Sequence, residues 1–172
     1  IAAMNENYDR LPLNSLETIT DALLEIMEAC MKNIPGCDWL QRWTEMSRSF
    51  AFRYNPALQP RSIIVLGCIS KFTTDKEILG LLRILVKALE SFQDLQLIES
   101  IIMCLTRLQP LLNPESRIHR ALFWIAISVL QLDEISLYAS GLALLEQNLH
   151  TLDSSSTFEM NTLKSVMMAT RE

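Results

Sequence analysis

An all-α fold is what this sequence predicts, and three observations predict it. Apolar residues recur at three- and four-residue spacing in block after block, the period of one face of a helix. The blocks are separated by breakers such as Pro35-Gly36, Asn55-Pro56 and Asn113-Pro114, with capping residues placed to restart the chain. No stretch reads as a strand with a second strand to pair with it. Residues Leu105 to Asp153 hold the whole pattern: the end of one apolar helix, a proline stop, a capped restart, a second helix, an acidic cap and a third helix.

The elements follow in order. Asn14 is placed to cap a first helix from about Ser15 to Asn33, with Glu17 three residues on as in a capping box. Leu16, Ile19, Leu23, Ile26, Met27, Cys30 and Ile34 mark its expected inward face, and Pro35-Gly36 ends it. Asp38 is expected to cap a second helix reaching Phe52, with an aromatic stripe of Trp39, Trp43, Met46, Phe50 and, less squarely, Leu40. Pro60 suits the first turn of a third helix, where its missing N–H costs nothing. Ile63 to Ile69 is read as a short buried helix: Pro60 precedes it, helices flank it, and no strand is there to pair with it. Thr74 or Asp75 caps a fourth helix whose face is Ile78, Leu82, Leu85, Val86 and Leu89. Asp94 caps a fifth, with Leu97, Ile98, Ile101, Ile102, Leu105 and Leu108 inward, and Pro110 stops it because an interior proline would cost about 3 kcal/mol. Asn113-Pro114-Glu115 supplies cap, N1 proline and first-turn acid for a sixth. Asp133-Glu134 opens a seventh, with Ile135, Tyr138, Leu142, Leu145, Leu149 and Leu152 expected inward. Ser154 to Thr157 is a polar linker before a weaker last helix over Met160 to Thr170. Gly67, Gly80 and Gly141 fall inside helices, each at a cost of about 1 kcal/mol against Ala, so close helix contact is expected at each.

Starts near Ser15, Pro60, Leu95 and Glu134 recur about every 40 residues, matching the roughly 40–47-residue unit of HEAT and armadillo repeats. The expected fold is an all-α, HEAT/armadillo-like α-solenoid segment of about four helical pairs. Residues 1–14 form an N-terminal extension, 15–153 the helical-repeat domain, and 154–172 a polar linker with a divergent C-terminal helix. A non-repetitive bundle would use the same helices.

At 172 residues the chain is expected to be one domain or a slice of something longer, and it can bury roughly 70% of its unfolded surface without staples. A hydrophobic content of 49% and a mean hydropathy of +0.19 are rich for a soluble protein. Such an excess is expected of a segment whose end faces are covered by neighbouring repeats. The net charge of −5 and pI near 5.1 argue against nucleic acid, which needs a clustered basic face. The nearest approach to one, Arg117-Ile118-His119-Arg120 with Arg107, is read as charge solvating a helix face. Ile1 in place of an initiator Met is expected of an excised fragment, and the polar run from Asn5 lacks the apolar core of a signal peptide. The best apolar run, Ala121 to Leu130, is about half the length a bilayer needs. Four cysteines at 30, 37, 68 and 104 form no Cys-x-x-Cys pair; Cys30, Cys68 and Cys104 sit in apolar helical stretches, as small hydrophobes do. A reducing, cytoplasmic location is expected.

No catalytic, cofactor or metal site is expected. His119 lies between arginines beside an apolar face, and His150 near a helix C-terminus, where the dipole favours an imidazolium. Neither has a nucleophile or metal partner at a recognised spacing. Four glycines cannot make a phosphate loop, and Asp133-Glu134 is explained as a helix start. Trp39, Trp43, Phe50 and Phe52 are the candidate partner interface, with core packing as the plainer reading of the same stripe.

Long collinear stretches resemble the neurofibromin family of Ras GTPase-activating proteins: SLETITDALLEIMEACMKNIPGCDWL (from Ser15), FAFRYNPALQPRSIIVLGCISK (from Phe50), RILVKALES (from Arg83), LTRLQPLLNPESRIHRALFWIAISVLQLDE (from Leu105) and LALLEQNLHTLD (from Leu142). Together they cover most of Ser15 to Asp153. The resemblance places the chain in the helical-repeat region that follows the family's Sec14-like and pleckstrin-like modules. The arginine finger and the Phe-Leu-Arg motif of the GTPase-activating domain have no counterpart, so no catalytic residue carries over. The linker from Ser91 to Gln96 is shorter than in the family, residues from Ser154 onward match poorly, and Ile1 to Asn14 match loosely.

The resemblance implies a non-catalytic scaffold segment of a negative regulator of Ras signalling. Its expected partners are adjoining helical repeats of the same protein and a second copy in a homodimer. Ras is met only through the separate GTPase-activating domain, with no nucleic acid and no membrane insertion. Peripheral membrane or nuclear pools of the parent protein are compatible with the resemblance. Two alternatives are a peptide- or protein-binding groove anchored by the aromatic stripe, and a helical domain with an apolar small-molecule or lipid cavity.

Overall fold

A computed structural model of the chain describes residues 11–156 and 161–168. Among these residues there are eight α-helices and no strand, so the chain is all-α. They are α1 (Leu13–Met31), α2 (Trp39–Ala51), α3 (Gln59–Ile69), α4 (Asp75–Ser91), α5 (Leu95–Leu108), α6 (Ile118–Leu130), α7 (Ile135–Ser154) and α8 (Leu163–Met168), with a 3-10 turn at Gln109–Leu111 after α5. The N-terminal extension through Arg10 and both ends of the expected last helix lie outside the described residues.

Local chemistry sets most of the helix starts. Thr74 Oγ1 accepts from Glu77 N at 3.3 Å, Asp94 Oδ1 from Leu97 N at 2.9 Å, and Glu134 Oε1 from Ser136 N at 3.2 Å. Each satisfies an orphan amide of a first turn. Pro60 occupies the first turn of α3. Three starts differ from expectation. Helix α1 begins two residues early, at Leu13 after Pro12, whose carbonyl accepts from Leu16 N at 2.9 Å; Asn14 is therefore already helical and does not cap. Asp38 precedes α2, but its carboxylate takes Arg42 Nε at 2.9 Å instead of a backbone amide. Helix α6 starts at Ile118, not at Asn113-Pro114-Glu115: Asn113 Oδ1 accepts from Glu115 N and Asn113 O from Ser116 N, closing a turn that delays the restart. At the other end, α7 runs through Ser154, taking in the first residue of the expected linker.

Helices α2, α4 and α6 pack on α3, α5 and α7 respectively, while α3, α5 and α7 neighbour one another in order. The first row is also tied along its length by polar contacts, Arg48 Nε to Glu77 Oε1 at 2.8 Å and Ser116 Oγ to Asp75 Oδ1 at 2.8 Å. The packed hairpins are thus α2–α3, α4–α5 and α6–α7. These pairs are offset by one helix from those that begin at Ser15, Pro60, Leu95 and Glu134.

Between the rows lies the larger apolar cluster. It takes Ile63 and Leu66 from α3, Ile78, Leu81 and Leu85 from α4, Leu122 and Ala126 from α6, and Leu137 and Leu144 from α7. The expected inward face of α5 is wholly buried in it. A smaller cluster lies on the other side of α3, where Ile64, Cys68 and Ile69 meet Leu13 and Leu24 of α1, with Trp39, Leu40 and Trp43 packed against them. Helix α1 therefore crosses the face of α3 and α5 that points away from α4 and α6.

Two helices bury a different face from the expected one. Helix α1 buries Leu13, Thr20 and Leu24, leaving Ile19, Leu23, Ile26, Cys30 and, beyond the helix, Ile34 exposed; Ile26 is 57% exposed. The buried side is the one whose acids, Glu17 and Asp21, meet Arg107 of α5. Helix α7 buries Leu137, Ser140, Gly141, Leu144, Asn148 and Leu152, while Ile135 (91% exposed), Tyr138, Leu142 and Leu149 face outward. Small residues decide that side. A Cβ on Gly141 would sit 2.9 Å from Val129 Cγ1, so α6 approaches α7 over the glycine. Val86 of α4 is likewise exposed, and Leu81 and Ala88 take the buried places.

Helices α3 and α5 come close at Gly67, where a Cβ would lie 3.1 Å from Cys104 Cα and 3.3 Å from its Sγ. Alanine would add helix propensity worth about 1 kcal/mol, but it would push against backbone, and overpacking costs roughly 1–3 kcal/mol. Gly67→Ala is expected to lower stability in urea denaturation, against the gain that propensity alone predicts.

Candidate functional site

A cleft of about 850 Å³ lies where the N-terminal half of α1 runs beside α5 and α7. Its α5 wall is mixed, with Glu99, Met103 and Arg107 one turn apart; its α7 wall is made of small residues, Ser136, Ala139, Ser140 and Ala143. Helix α5 is apolar toward the larger cluster and polar toward this cleft, so the same helix holds the core and presents the site.

Arg107 fixes α1 over the cleft. Its Nε donates to Glu17 Oε1, its Nη2 to Asp21 Oδ2, and its Nη1 to Asp21 Oδ1 at 3.1 Å. Asp21 thus receives a bidentate fork, the geometry a guanidinium suits and an ammonium does not. Burial works against the arginine's charge, but the bonds to Asp21 and Glu17 outweigh it and hold its pKa above the ordinary value. Glu99, half-buried beside the same cleft, has no such partner, and desolvation raises its carboxyl above the usual 4.5.

The aromatic candidates divide. Trp39 and Trp43 are half-buried against the smaller cluster, their ring centroids 6.3 Å apart. Phe50 is also half-buried, whereas Phe52 is exposed and turns to α4, its ring directly over Gly80. These four side chains do not share one continuous stripe: Phe52 lines a cleft with Arg48, Phe72 and Arg83, away from the tryptophans.

The histidines and cysteines are scattered. His119 is buried with Nε2 3.0 Å from Asn113 O, and His150 is exposed on α7. Cys30 and Cys37 are exposed, while Cys68 and Cys104 are buried. Burial pushes the Cys68 thiol up to about 12 and the Cys104 thiol higher still, so neither offers a thiolate near neutral pH. Among the described residues no three His, Cys, Asp or Glu side chains gather as a metal site requires. No helix among them is long and apolar enough to cross a membrane. No protein family model matches the sequence.

Sequence reasoning grouped Arg107 with Arg117 and Arg120; the structure separates it from them and joins it to acids 86 and 90 residues away. The one local signal was the Glu17/Asp21 pair, four apart and so on one side of α1.

Two predictions follow from this geometry. Arg107→Ala leaves two neighbouring carboxylates without their shared cation, and charged hydrogen bonds are worth about 1.5–3 kcal/mol. Urea denaturation is expected to show a loss in that range, well above that for Arg42→Ala at an exposed pair, about 0–1 kcal/mol. For Glu99, a folded pKa above the unfolded one means the folded state holds the proton more tightly. The ionised carboxylate therefore destabilises the fold above its folded pKa, and the penalty vanishes as pH falls below the unfolded value. Glu99→Gln is expected to be more stable than the parent at pH 7, with the two converging in acid; denaturation at a series of pH values measures it.

Proposed function

We propose that this chain is a non-catalytic scaffold segment, an α-solenoid piece of HEAT/armadillo type from a neurofibromin-like negative regulator of Ras signalling. The observation that carries the reading is the apolar stripe left bare on each of two helices. On α1 it is Ile19, Leu23 and Ile26; on α7 it is Ile135, Tyr138, Leu142 and Leu149. Helices that bury one apolar side and expose another have a second surface to cover, and in stacked repeats the neighbouring unit covers it. The offset hairpins α2–α3, α4–α5 and α6–α7 support the same reading, since each repeats one packing relation along the row.

The mechanism is burial. At about 25 cal/mol per Å² of apolar area, covering a few hundred Å² supplies several kcal/mol, set against the entropy lost on association. The partners are adjoining helical repeats, with a second copy of the chain as the other claimant to the same stripes. Four free cysteines, two of them exposed, fit a cytoplasmic, reducing location. Ras is reached only through a separate GTPase-activating domain.

Light scattering of the chain, alone and mixed with the adjoining helical repeats, tests the proposal. Association is expected, and the double variant Ile26→Asp/Leu142→Asp is expected to abolish it without loss of helical content. Association untouched by that variant would reject the stripes as the contact. Acceleration of Ras GTP hydrolysis by this chain alone would reject the non-catalytic assignment.

A further inference from the structure

A cleft of about 470 Å³ opens between the end of α2 and the first half of α4. Phe52 and Phe72 line it, 39% and 67% exposed. The Phe52 ring lies over Gly80, where a Cβ would stand 2.9 Å from Cε1, so the ring gives this part of α4 an apolar cover. An adjoining depression of about 450 Å³ shares Arg48 and Phe72 with the cleft and carries apolar surface on to Leu40 and Ile69. Aromatic side chains left bare in a concavity are what the anchor residue of a partner covers.

The charge around these rings is one-sided. Arg48, Lys76 and Arg83 line the cleft against a single carboxylate, Glu77. That carboxylate is turned inward, its side chain 9% exposed, and it accepts from Arg48 Nε at 2.8 Å and from Thr73 Oγ1 at 3.1 Å. Asp75, outside the lining, accepts from Ser116 Oγ at 2.8 Å. Among the described residues neither Lys76 nor Arg83 forms an ion pair, and both are exposed. The cleft thus presents two unpaired cations in a chain whose net charge is −5. Their spacing sets what fits. Seven residues along α4 are two turns, about 10 Å, and Gly80 with the Phe52 ring falls between them. An extended peptide covers roughly 3.3 Å per residue, so carboxylates three residues apart reach both cations while a side chain between them meets the rings.

We propose that this cleft binds an acidic peptide segment of a partner protein, in which one large apolar residue stands between two carboxylates three residues apart. Lys76 and Arg83 take the carboxylates, the arginine as a fork, and the apolar side chain packs against Phe52 and Phe72. Two unpaired cations are too few for a nucleic acid or an anionic bilayer, where affinity is built from several phosphate or headgroup contacts. The cleft shares no residue with the bare stripes on α1 and α7, so this inference and the scaffold reading fail separately.

The test titrates the full chain into a labelled peptide with blocked ends, Ser-Glu-Ser-Phe-Glu-Ser, and follows fluorescence anisotropy at fixed ionic strength. Saturable binding is expected with a Kd of about 0.1 mM, the weak range of a short flexible peptide. Phe72→Ala, at an exposed side chain, should weaken it about tenfold. A peptide with Lys at both Glu positions should not bind the parent chain. The double variant Lys76→Glu/Arg83→Glu should lose the acidic peptide and take up the lysine one, a reversal that a merely destabilised chain cannot produce; circular dichroism checks its helical content. No saturation by about 1 mM chain, unchanged affinity in Phe72→Ala, or no reversal in the double variant would overturn the proposal. Displacement of the peptide by phosphatidylserine vesicles or a single-stranded oligonucleotide at lower concentration than by unlabelled peptide would overturn it too, and would assign the cleft to that surface.

Discussion

Burial of α5 is the constraint on which the rest of this structure depends. Ile98, Ile101, Ile102, Leu105 and Leu108 are fully enclosed, and α3, α4 and α7 all pack against the helix that carries them. Such a position demands neighbours close enough to exclude water. Gly67 provides that on one side by letting α3 approach the Cys104 backbone. Asp94 at the start and Pro110 just past the end fix the length of the helix, so its apolar face is presented in one register. The opposite side of α5 remains available for Glu99, Met103 and Arg107, and hence for α1.

Much of this was legible in the sequence because the signals were local. The Thr74 and Asp94 caps, the Pro60 start and the Pro110 stop act over a few residues, and all four operate as read. The face of α5 was legible because only one side of that helix is apolar. Helices α1 and α7 each carry two apolar stripes, and periodicity cannot choose between them. The choice fell to features of the neighbours: the distant Arg107 for α1, and the close passage of α6 over Gly141 for α7. The delayed start of α6 was missed because Asn113 can cap a helix or close a turn with the same side-chain oxygen, and here it closes the turn. The arginine clasp was beyond reach, since its partners meet only after the chain has folded.

The distribution of polar groups separates two kinds of surface. Around the α1–α5–α7 cleft, Arg107 pairs with Glu17 and Asp21 and holds one helix on another, while Glu99 has no such partner. Around the first turn of α6, Arg117 and Arg120 form no ion pair among the described residues, although Glu115 and Asp75 lie nearby. The aromatic residues belong to neither: Trp39 and Trp43 serve the contact between α1, α2 and α3, and Phe52 closes over Gly80. Large apolar side chains face solvent along the second, unburied stripes of α1 and α7, and also at Phe52, Tyr54 and Phe72.

The division of the interior into two clusters has a thermodynamic consequence. Leu13 and Leu24 of α1 belong to the smaller cluster and contribute nothing to the larger one. Lifting α1 away would break the clasp and bare Ile64, Cys68 and Ile69 without opening the contacts that surround α5. The molecule thus has a route to partial opening that costs less than global unfolding. Amide hydrogens of α1 should exchange ahead of those in the middle of α5, and Cys68 should become reachable to thiol reagents while Cys104 is still protected.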